Sequence, residues 1–191
     1  FYMDFEARSA GAADYRSTTR DVRRIIDELV AQGAHGLVVD LRGNGGGSLN
    51  EATELTGLFI DAGPVVQVRD SQARVQVERD TDAGMAYAGP LLVLVDRNSA
   101  SASEIFAGAI QDYRRGLIVG EPTFGKGTVQ NLVDLNRFDQ SMDGKLGQLK
   151  TTIAQFFRVN GGSTQHRGVV PDIVLPTVLS IDEHGERSLD N

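Results

Sequence analysis

Apolar residues near the start of the chain recur at helical spacing and then form a continuous strand-like run. Residues 18–33 (TTRDVRRIIDELVAQG) carry their apolar side chains on one stripe, with Thr18 and Asp21 at the spacing of a capping box. Residues 36–41 (GLVVDL) follow and are nearly all apolar, which is typical of a strand covered on both faces. The pattern predicts an amphipathic helix that leads into a buried strand.

The same alternation continues further along the chain. Ser48 and Glu51 have capping-box spacing before a second apolar stripe, and a run of serines opens a third helix that extends to about Tyr113. Residues 65–78 alternate apolar and polar positions on both sides of a DSQ turn and predict a β-hairpin. Three more segments are candidates for buried strands: residues 91–96, 116–120 and 151–159.

Helices that alternate with strands apolar on both faces predict an α/β domain. Its sheet should be largely parallel and flanked by helices, with the β-hairpin added to it. Residues 136–150 are polar and contain glycine, so we expect a mobile excursion there. The acidic end, residues 181–191, is expected to be a loosely held tail.

Composition narrows the possible functions. The 191 residues can bury the core of one domain, and the net charge of −7 argues against nucleic acid or an anionic membrane surface as a partner. The absence of cysteine excludes a thiol nucleophile, thiolate metal ligands and disulfides. The longest apolar runs are too short to span a bilayer. Neither a cofactor nor a metal is expected.

A glycine-rich loop, RGNGGGS, follows the first predicted strand. Its glycines at positions 43, 45, 46 and 47 stand between a strand and a helix, where α/β folds expose backbone amides. A dinucleotide fingerprint would need glycine where Ser48 stands. The loop is therefore either a tight turn or an anion-facing element, and four glycines favour the second interpretation.

A second glycine motif offers an alternative function. Gly120, Gly125 and Lys126 in GEPTFGKG match the P-loop pattern G-x-x-x-x-G-K after a predicted strand, so a nucleotide-binding module is possible. The next residue is Gly127 where the P-loop has serine or threonine, and the alternating segment TVQNLVDL predicts a strand instead of the helix that would face the phosphates.

Lys126 is also a candidate general base. The chain has three lysines and sixteen arginines, and the glycines on either side of Lys126 would let the backbone approach another segment closely. An apolar wall such as Phe124 would disfavour the charged amine and lower its pKa. The alternative is an ordinary solvated loop lysine.

The serine run NSASASEIFAGA contains the candidate nucleophiles. Ser101 and Glu104 have capping-box spacing, so Ser101 is either a helix cap or a nucleophile at the positive end of a helix, and the residues alone leave all three serines eligible. The three histidines, His35, His166 and His184, lie in a junction, a turn and the tail. A serine paired with an uncharged lysine is the simplest nucleophilic site.

Four segments resemble one family. VVDLRGNGGG, VDRNSASASEIFAGAIQDY, VGEPTFGKGTVQ and FFRVNGGSTQHRGVVPDIVLP closely resemble the tail-specific, or C-terminal processing, proteases of serine peptidase family S41, nearest to the Gram-negative tail-specific branch. The resemblance implies an α/β fold of the crotonase and ClpP kind. It also implies a serine endopeptidase that cleaves proteins at or near apolar C-terminal tails, usually in the bacterial envelope or periplasm.

The resemblance assigns roles to particular residues. The nucleophile would be Ser101, the general base Lys126, and the residue that orients the lysine amine Gln130. An even spacing would put Gln130 and Lys126 on one strand face. The oxyanion donors would be the backbone amides of Gly47 and Ala102.

The resemblance also predicts how the chain is divided. Residues 1–176 would be the catalytic core, and residues 177–191 an acidic tail. The family's PDZ domain, which captures tails, would precede this core in the parent chain, so the isolated chain could be a catalytically incomplete binding fragment.

Overall fold

A computed structural model of the chain describes residues 1–138, 146–177 and 184–189. Helices and strands alternate in the described residues. The helices are α1 (Phe5–Ser9), α2 (Thr18–Ala31), α3 (Leu49–Gly57) and α4 (Ala102–Asp112), with 3-10 turns at Leu135–Arg137 and Glu186–Ser188. The strands are β1 (Leu37–Asp40), β2 (Gly63–Asp70), β3 (Val75–Asp80), β4 (Leu91–Val95), β5 (Leu117–Gly120), β6 (Thr128–Asp134), β7 (Gln148–Phe157) and β8 (Ile173–Val174).

The first sheet is parallel, with strand order β1-β4-β5-β8. Its strands β1, β4 and β5 are the short apolar runs that the sequence predicts as strands. The prediction that β1 is covered on both faces was wrong, because Val38 is exposed. Because parallel neighbours need crossover connections, α3 and α4 lie between them in the chain. The predicted α/β class, with a parallel sheet and flanking helices, is confirmed.

The second sheet is antiparallel, with strand order β3-β2-β7-β6. The predicted hairpin is β2 and β3, and it is only half of this sheet. The prediction that residues 151–159 form another buried strand was wrong in one respect: β7 has several exposed residues, including Leu149 and Ile153, and pairs with β2 and β6. One face of an antiparallel sheet commonly meets solvent, so β7 need not be covered on both sides.

Helix α4 joins the two sheets because it packs against β5 of the first and β2 of the second. Its buried side chains include Phe106, whose ring meets that of Phe59 edge-on with centroids 5.8 Å apart. Burying two such rings stabilises the fold by about 3 kcal/mol or more. This packing fixes the start of α4, where the serine run lies.

The ends of several elements differ from the predictions. Ser17, not Thr18, caps α2 by accepting from the Arg20 N–H. The short α1 and β8 carried no sequence signal, since five and two residues are too few to show a period. Within the predicted excursion, β7 already begins at Gln148, and residues 139–145 lie outside the described residues.

The C-terminal segment is held more firmly than predicted where it is described. The Glu186 N–H donates to the Phe124 carbonyl at 2.8 Å, and Gly185 is buried against the same carbonyl. Residues 184–189 therefore contact the loop that contains Lys126, and residues 178–183, 190 and 191 lie outside the described residues.

Candidate active site

The structure distinguishes the three serines of the serine run. Ser99 and Ser103 are fully buried: the Ser99 hydroxyl donates to the Leu41 carbonyl at 2.8 Å, and the Ser103 hydroxyl donates to the Asn44 carbonyl at 2.9 Å. Ser101 is partly exposed and lines a cleft of about 640 Å³. Ser101 is the serine of this run whose hydroxyl is available to a ligand.

Ser101 has an unusual backbone conformation. Its φ of +58° and ψ of −112° lie in a region that L residues rarely adopt, at the sharp turn from β4 into α4. A residue in such a conformation costs about 1–3 kcal/mol and persists only because its surroundings hold it. The turn leaves the side chain at the N-terminus of the helix, where the N–H of Ala102 has no acceptor among the described residues.

Ser101 is the N-cap residue of α4, and Glu104 contributes a side-chain hydrogen bond to this helix start. The two residues stand in the predicted capping-box relation, and Glu104 Oε2 accepts from the Ser101 N–H at 2.8 Å. The Glu104 N–H donates to the Ser101 carbonyl at 2.9 Å, so this helix N–H has an acceptor without the Ser101 hydroxyl. The competing interpretations of Ser101, cap and nucleophile, are thus compatible.

The glycine-rich loop packs directly on the serine turn. A Cβ atom at Gly46 would lie 2.5 Å from the Ala100 carbonyl oxygen and 2.9 Å from the Ala102 nitrogen, and its φ is +97°. The Ala100 N–H donates to the Asn44 carbonyl at 3.0 Å. Only glycine permits this approach at position 46. The anion-facing interpretation of the loop therefore has a geometric basis.

Two backbone amides in this region are free. Gly47 and Ala102 both line the cleft with Ser101, and their N–H groups have no acceptor among the described residues. Free N–H groups at a helix start and in a glycine loop can donate to a negatively charged oxygen.

Lys126 lines the same cleft and is half-buried. Burial lowers the pKa of its amine, and the positive charge of Lys150 lowers it further, while Glu186 and Glu104 act in the opposite direction. A lowered pKa increases the fraction of neutral amine, which is the form that can accept a proton.

Glu104 connects the serine turn to the loop that contains Lys126, here called the lysine loop. This fully buried carboxylate accepts from the Thr123 hydroxyl at 2.6 Å, the Gly125 N–H at 2.7 Å and the Lys126 N–H at 3.0 Å, in addition to Ser101. Burial raises the pKa of Glu104 to about 7, against the opposing effect of these hydrogen bonds. Its sequence spacing indicated a cap, but nothing in the sequence indicated its contact with the lysine loop.

The glycines around Lys126 allow a close backbone approach, as the sequence predicts. The Gly127 N–H donates to Gln165 Oε1 at 2.6 Å, and the His166 N–H donates to the Gly125 carbonyl at 2.8 Å. Gln165 Nε2 in turn donates to Glu186 Oε1 at 3.1 Å. The lysine loop is therefore hydrogen-bonded to the segment that precedes β8, and that segment is in turn hydrogen-bonded to the C-terminal segment.

Gln130 lies on β6 and also lines the cleft. The expectation that it shares a strand face with Lys126 was wrong, because Lys126 precedes β6 and the pairing of β6 with β7 is irregular between Val129 and Gln130. Both residues nevertheless line the same cleft.

Other sequence candidates lie elsewhere. His35, His166 and His184 are exposed, and none of them lines the cleft. Lys126 is followed by β6 and not by a helix, so the P-loop alternative lacks the helix N-terminus that would bind phosphate. A larger cavity of about 1020 Å³ beside α3 and β3 is lined by neither a serine nor a lysine.

Two features are absent from the described residues. None of the helices there is both long and apolar enough to cross a bilayer. Within the same residues, no cluster of three or more His, Asp or Glu side chains could hold a metal ion.

Comparison with known proteins agrees with these features. Residues 3–175 match the family described as Peptidase family S41. The chain is 53% identical over 177 residues to the tail-specific protease of Haemophilus influenzae, covering 93% of this chain and 26% of that protein. It is 39% identical over 170 residues to the chloroplastic C-terminal processing peptidase of Tetradesmus obliquus, covering 88% of this chain and 35% of that one.

A solved structure is similar as well. The photosystem II D1 C-terminal processing protease superposes with a TM-score of 0.70 at 40% identity, over 83% of this chain and 39% of that chain. The chain thus spans roughly a quarter to two fifths of the length of these relatives.

Proposed function

The chain belongs to peptidase family S41, and we propose that it forms the catalytic core of a serine endopeptidase with Ser101 as nucleophile and Lys126 as general base. One observation carries this proposal: Ser101 is the serine of its run that opens into a cleft, and Lys126 lines that cleft with a lowered pKa. The names of the relatives, tail-specific protease and C-terminal processing peptidase, support the same activity.

The proposed reaction is acyl transfer. Neutral Lys126 Nζ takes the proton of Ser101 Oγ, which bonds to the scissile carbonyl carbon, and the carbonyl electrons move onto oxygen. The N–H groups of Gly47 and Ala102 stabilise that oxyanion, and Gln130 orients the lysine amine. The C–N bond then breaks as Lys126 protonates the leaving amine. Water, deprotonated by Lys126, then bonds to the acyl carbon, the bond between that carbon and Ser101 Oγ breaks, and Lys126 returns the proton to Oγ.

The proposed substrates are proteins cleaved at or near apolar C-terminal tails. The cleft supports this class through apolar side chains, among them Leu49, Ile105 and Phe156. In the parent protein a PDZ domain would deliver the tail, and the periplasm of a bacterial envelope is the proposed location. Fractionation of cells that express the parent protein tests the location, with recovery in the cytosol as the contrary result.

A fluorophosphonate probe, which bonds covalently to activated serines, tests the proposed function. We expect labelling of the chain, with labelling lost in Ser101→Ala and in Lys126→Ala. Ser163→Ala is the matched control, because Ser163 is an exposed serine that does not line the cleft. Equal labelling of Ser101→Ala and the parent sequence would contradict the assignment. An unlabelled chain beside a labelled longer form of the protein would indicate a binding fragment whose site is incomplete.

A further inference from the structure

The described lining of the cleft around Ser101 includes two basic side chains and no acidic one, although the protein is acidic. The chain has 26 Asp and Glu residues and only three lysines, yet Lys126 and Lys150 both line the cleft. No Asp or Glu is among the described residues that line it. A bound peptide therefore meets two amines and no carboxylate.

Lys150 stands on β7 directly opposite Leu132 of β6, and both line the cleft. Its side chain has no hydrogen bond or ion pair within the described part of the chain. Its charge nevertheless reaches the active site, because it acts on Lys126. Lys150 is thus a cation that has no partner among the described residues and lines the same cleft as Ser101 and Lys126.

The acidic groups nearest the lysine loop are already engaged. Glu104 accepts four hydrogen bonds and is fully buried, and Glu186 accepts from Gln165 behind the loop. Neither lines the cleft. The described acidic groups next to the lysine loop therefore leave Lys150 available to a negatively charged group of the ligand.

We propose that Lys150 determines specificity by binding a carboxylate of the peptide in the cleft, close to the bond that Ser101 attacks. This inference rests on the proposed function. The carboxylate has two possible sources, the C-terminal α-carboxylate of the peptide or an Asp or Glu side chain. Because Lys150 is exposed, water screens the pair, and the gain in affinity is modest, roughly fivefold.

Binding to a protein that cannot turn over tests the proposal. In the Ser101→Ala background, fluorescence anisotropy measures the affinity of labelled apolar peptides in two matched pairs: free acid against C-terminal amide, and internal Glu against internal Gln. We expect the carboxylate member of at least one pair to bind roughly fivefold more tightly. The pair that responds identifies the source of the carboxylate.

The Lys150 variants complete the test. Lys150→Gln should abolish the difference within the responding pair, and Lys150→Arg should keep it because it retains the charge. Arg23→Gln, which removes an exposed charge outside the cleft, should change neither affinity. Equal affinity within both pairs, no peptide binding up to millimolar concentration, or a difference that survives in Lys150→Gln overturns the proposal.

Fluorophosphonate labelling with Ser101 intact separates this inference from the proposed function. Labelling of Ser101 without any carboxylate preference rejects only the role of Lys150. Absence of labelling in both the chain and a longer form of the protein rejects the peptidase itself.

Discussion

Ser101 and Lys126 donate their backbone N–H groups to the same oxygen atom. Glu104 Oε2 accepts from the Ser101 N–H at 2.8 Å and from the Lys126 N–H at 3.0 Å. The loops that carry the proposed nucleophile and the proposed base are therefore fixed relative to each other through one buried carboxylate. Glu104 is a positioning residue, because it contacts the backbone of both and does not line the cleft.

Removing this carboxylate should damage stability and labelling together. Glu104→Ala leaves four donors without their acceptor in a buried site, and each such loss costs about 1–3 kcal/mol. We expect the free energy of unfolding to fall by roughly 3 kcal/mol or more, measured by urea denaturation. Glu104→Gln should also slow fluorophosphonate labelling. It replaces one carboxylate oxygen by an NH₂ group, which cannot accept the two hydrogen bonds that this oxygen accepts.

Glu28→Gln is the control for that prediction. Glu28 forms an exposed pair with Arg24 on α2, so its loss should change stability by less than about 0.5 kcal/mol. Normal labelling of a folded Glu104→Gln variant would contradict the positioning role.

The rate of labelling should rise with pH as Lys126 loses its proton. Because burial and Lys150 lower the pKa of Lys126, the midpoint should lie below the ordinary lysine value of 10.5. The folded state then binds fewer protons than the unfolded state between those two values, so stability should also rise with pH in that window. A pH profile of labelling combined with urea titrations measures both.

Two charge variants should move that midpoint in opposite directions. Lys150→Gln removes a charge that lowers the pKa of Lys126, so the midpoint should rise, whereas Glu186→Gln removes one that raises it, so the midpoint should fall. Glu104 also acts on Lys126 and remains intact in both variants. Movement in the same direction would contradict the assignment of these effects to charge.

The glycine loop should tolerate a methyl group at one position and not at another. Gly46→Ala would force a Cβ against Ala100 and Ala102 at a positive φ, which displaces the free amides. Labelling should slow roughly 100-fold, the typical effect of losing an oxyanion donor. Gly43→Ala is the matched control, since Gly43 also has a positive φ but nothing lies within 4 Å of the added carbon. If both variants slow labelling equally, the cause is the positive φ that they share and not the contact of the added carbon with Ala100 and Ala102.

Replacing Ser101 by glycine should relieve the strain in its backbone and so stabilise the protein relative to an alanine variant. Both Ser101→Gly and Ser101→Ala should abolish labelling, but glycine adopts φ +58° without the cost that alanine retains. We expect Ser101→Gly to be more stable than Ser101→Ala by roughly 1 kcal/mol, because greater chain entropy in the unfolded state offsets part of the relief. Thermal unfolding of the two variants makes the comparison, and a less stable glycine variant would refute the strain.

Local patterns were sufficient to predict most of the elements. The strands β1, β4 and β5 and the helices α2, α3 and α4 appear where the periodicity of the sequence places them. The second sheet could not be predicted in full, because β7 pairs with β2 over more than 80 residues of chain, and periodicity carries no information about which strand is the partner.

The sequence by itself determined that a serine run opens a helix, that glycines bracket Lys126 and that a glycine loop follows β1. These are local features, encoded by spacings of one to four residues. Only the tertiary structure decided which serine is available. Ser99 and Ser103 are buried and donate their hydroxyls to the carbonyls of Leu41 and Asn44, which lie 58 and 59 residues away in the chain. It also decided that Glu104 joins the two loops, since a buried carboxylate binds whichever donors the packing of distant segments brings to it.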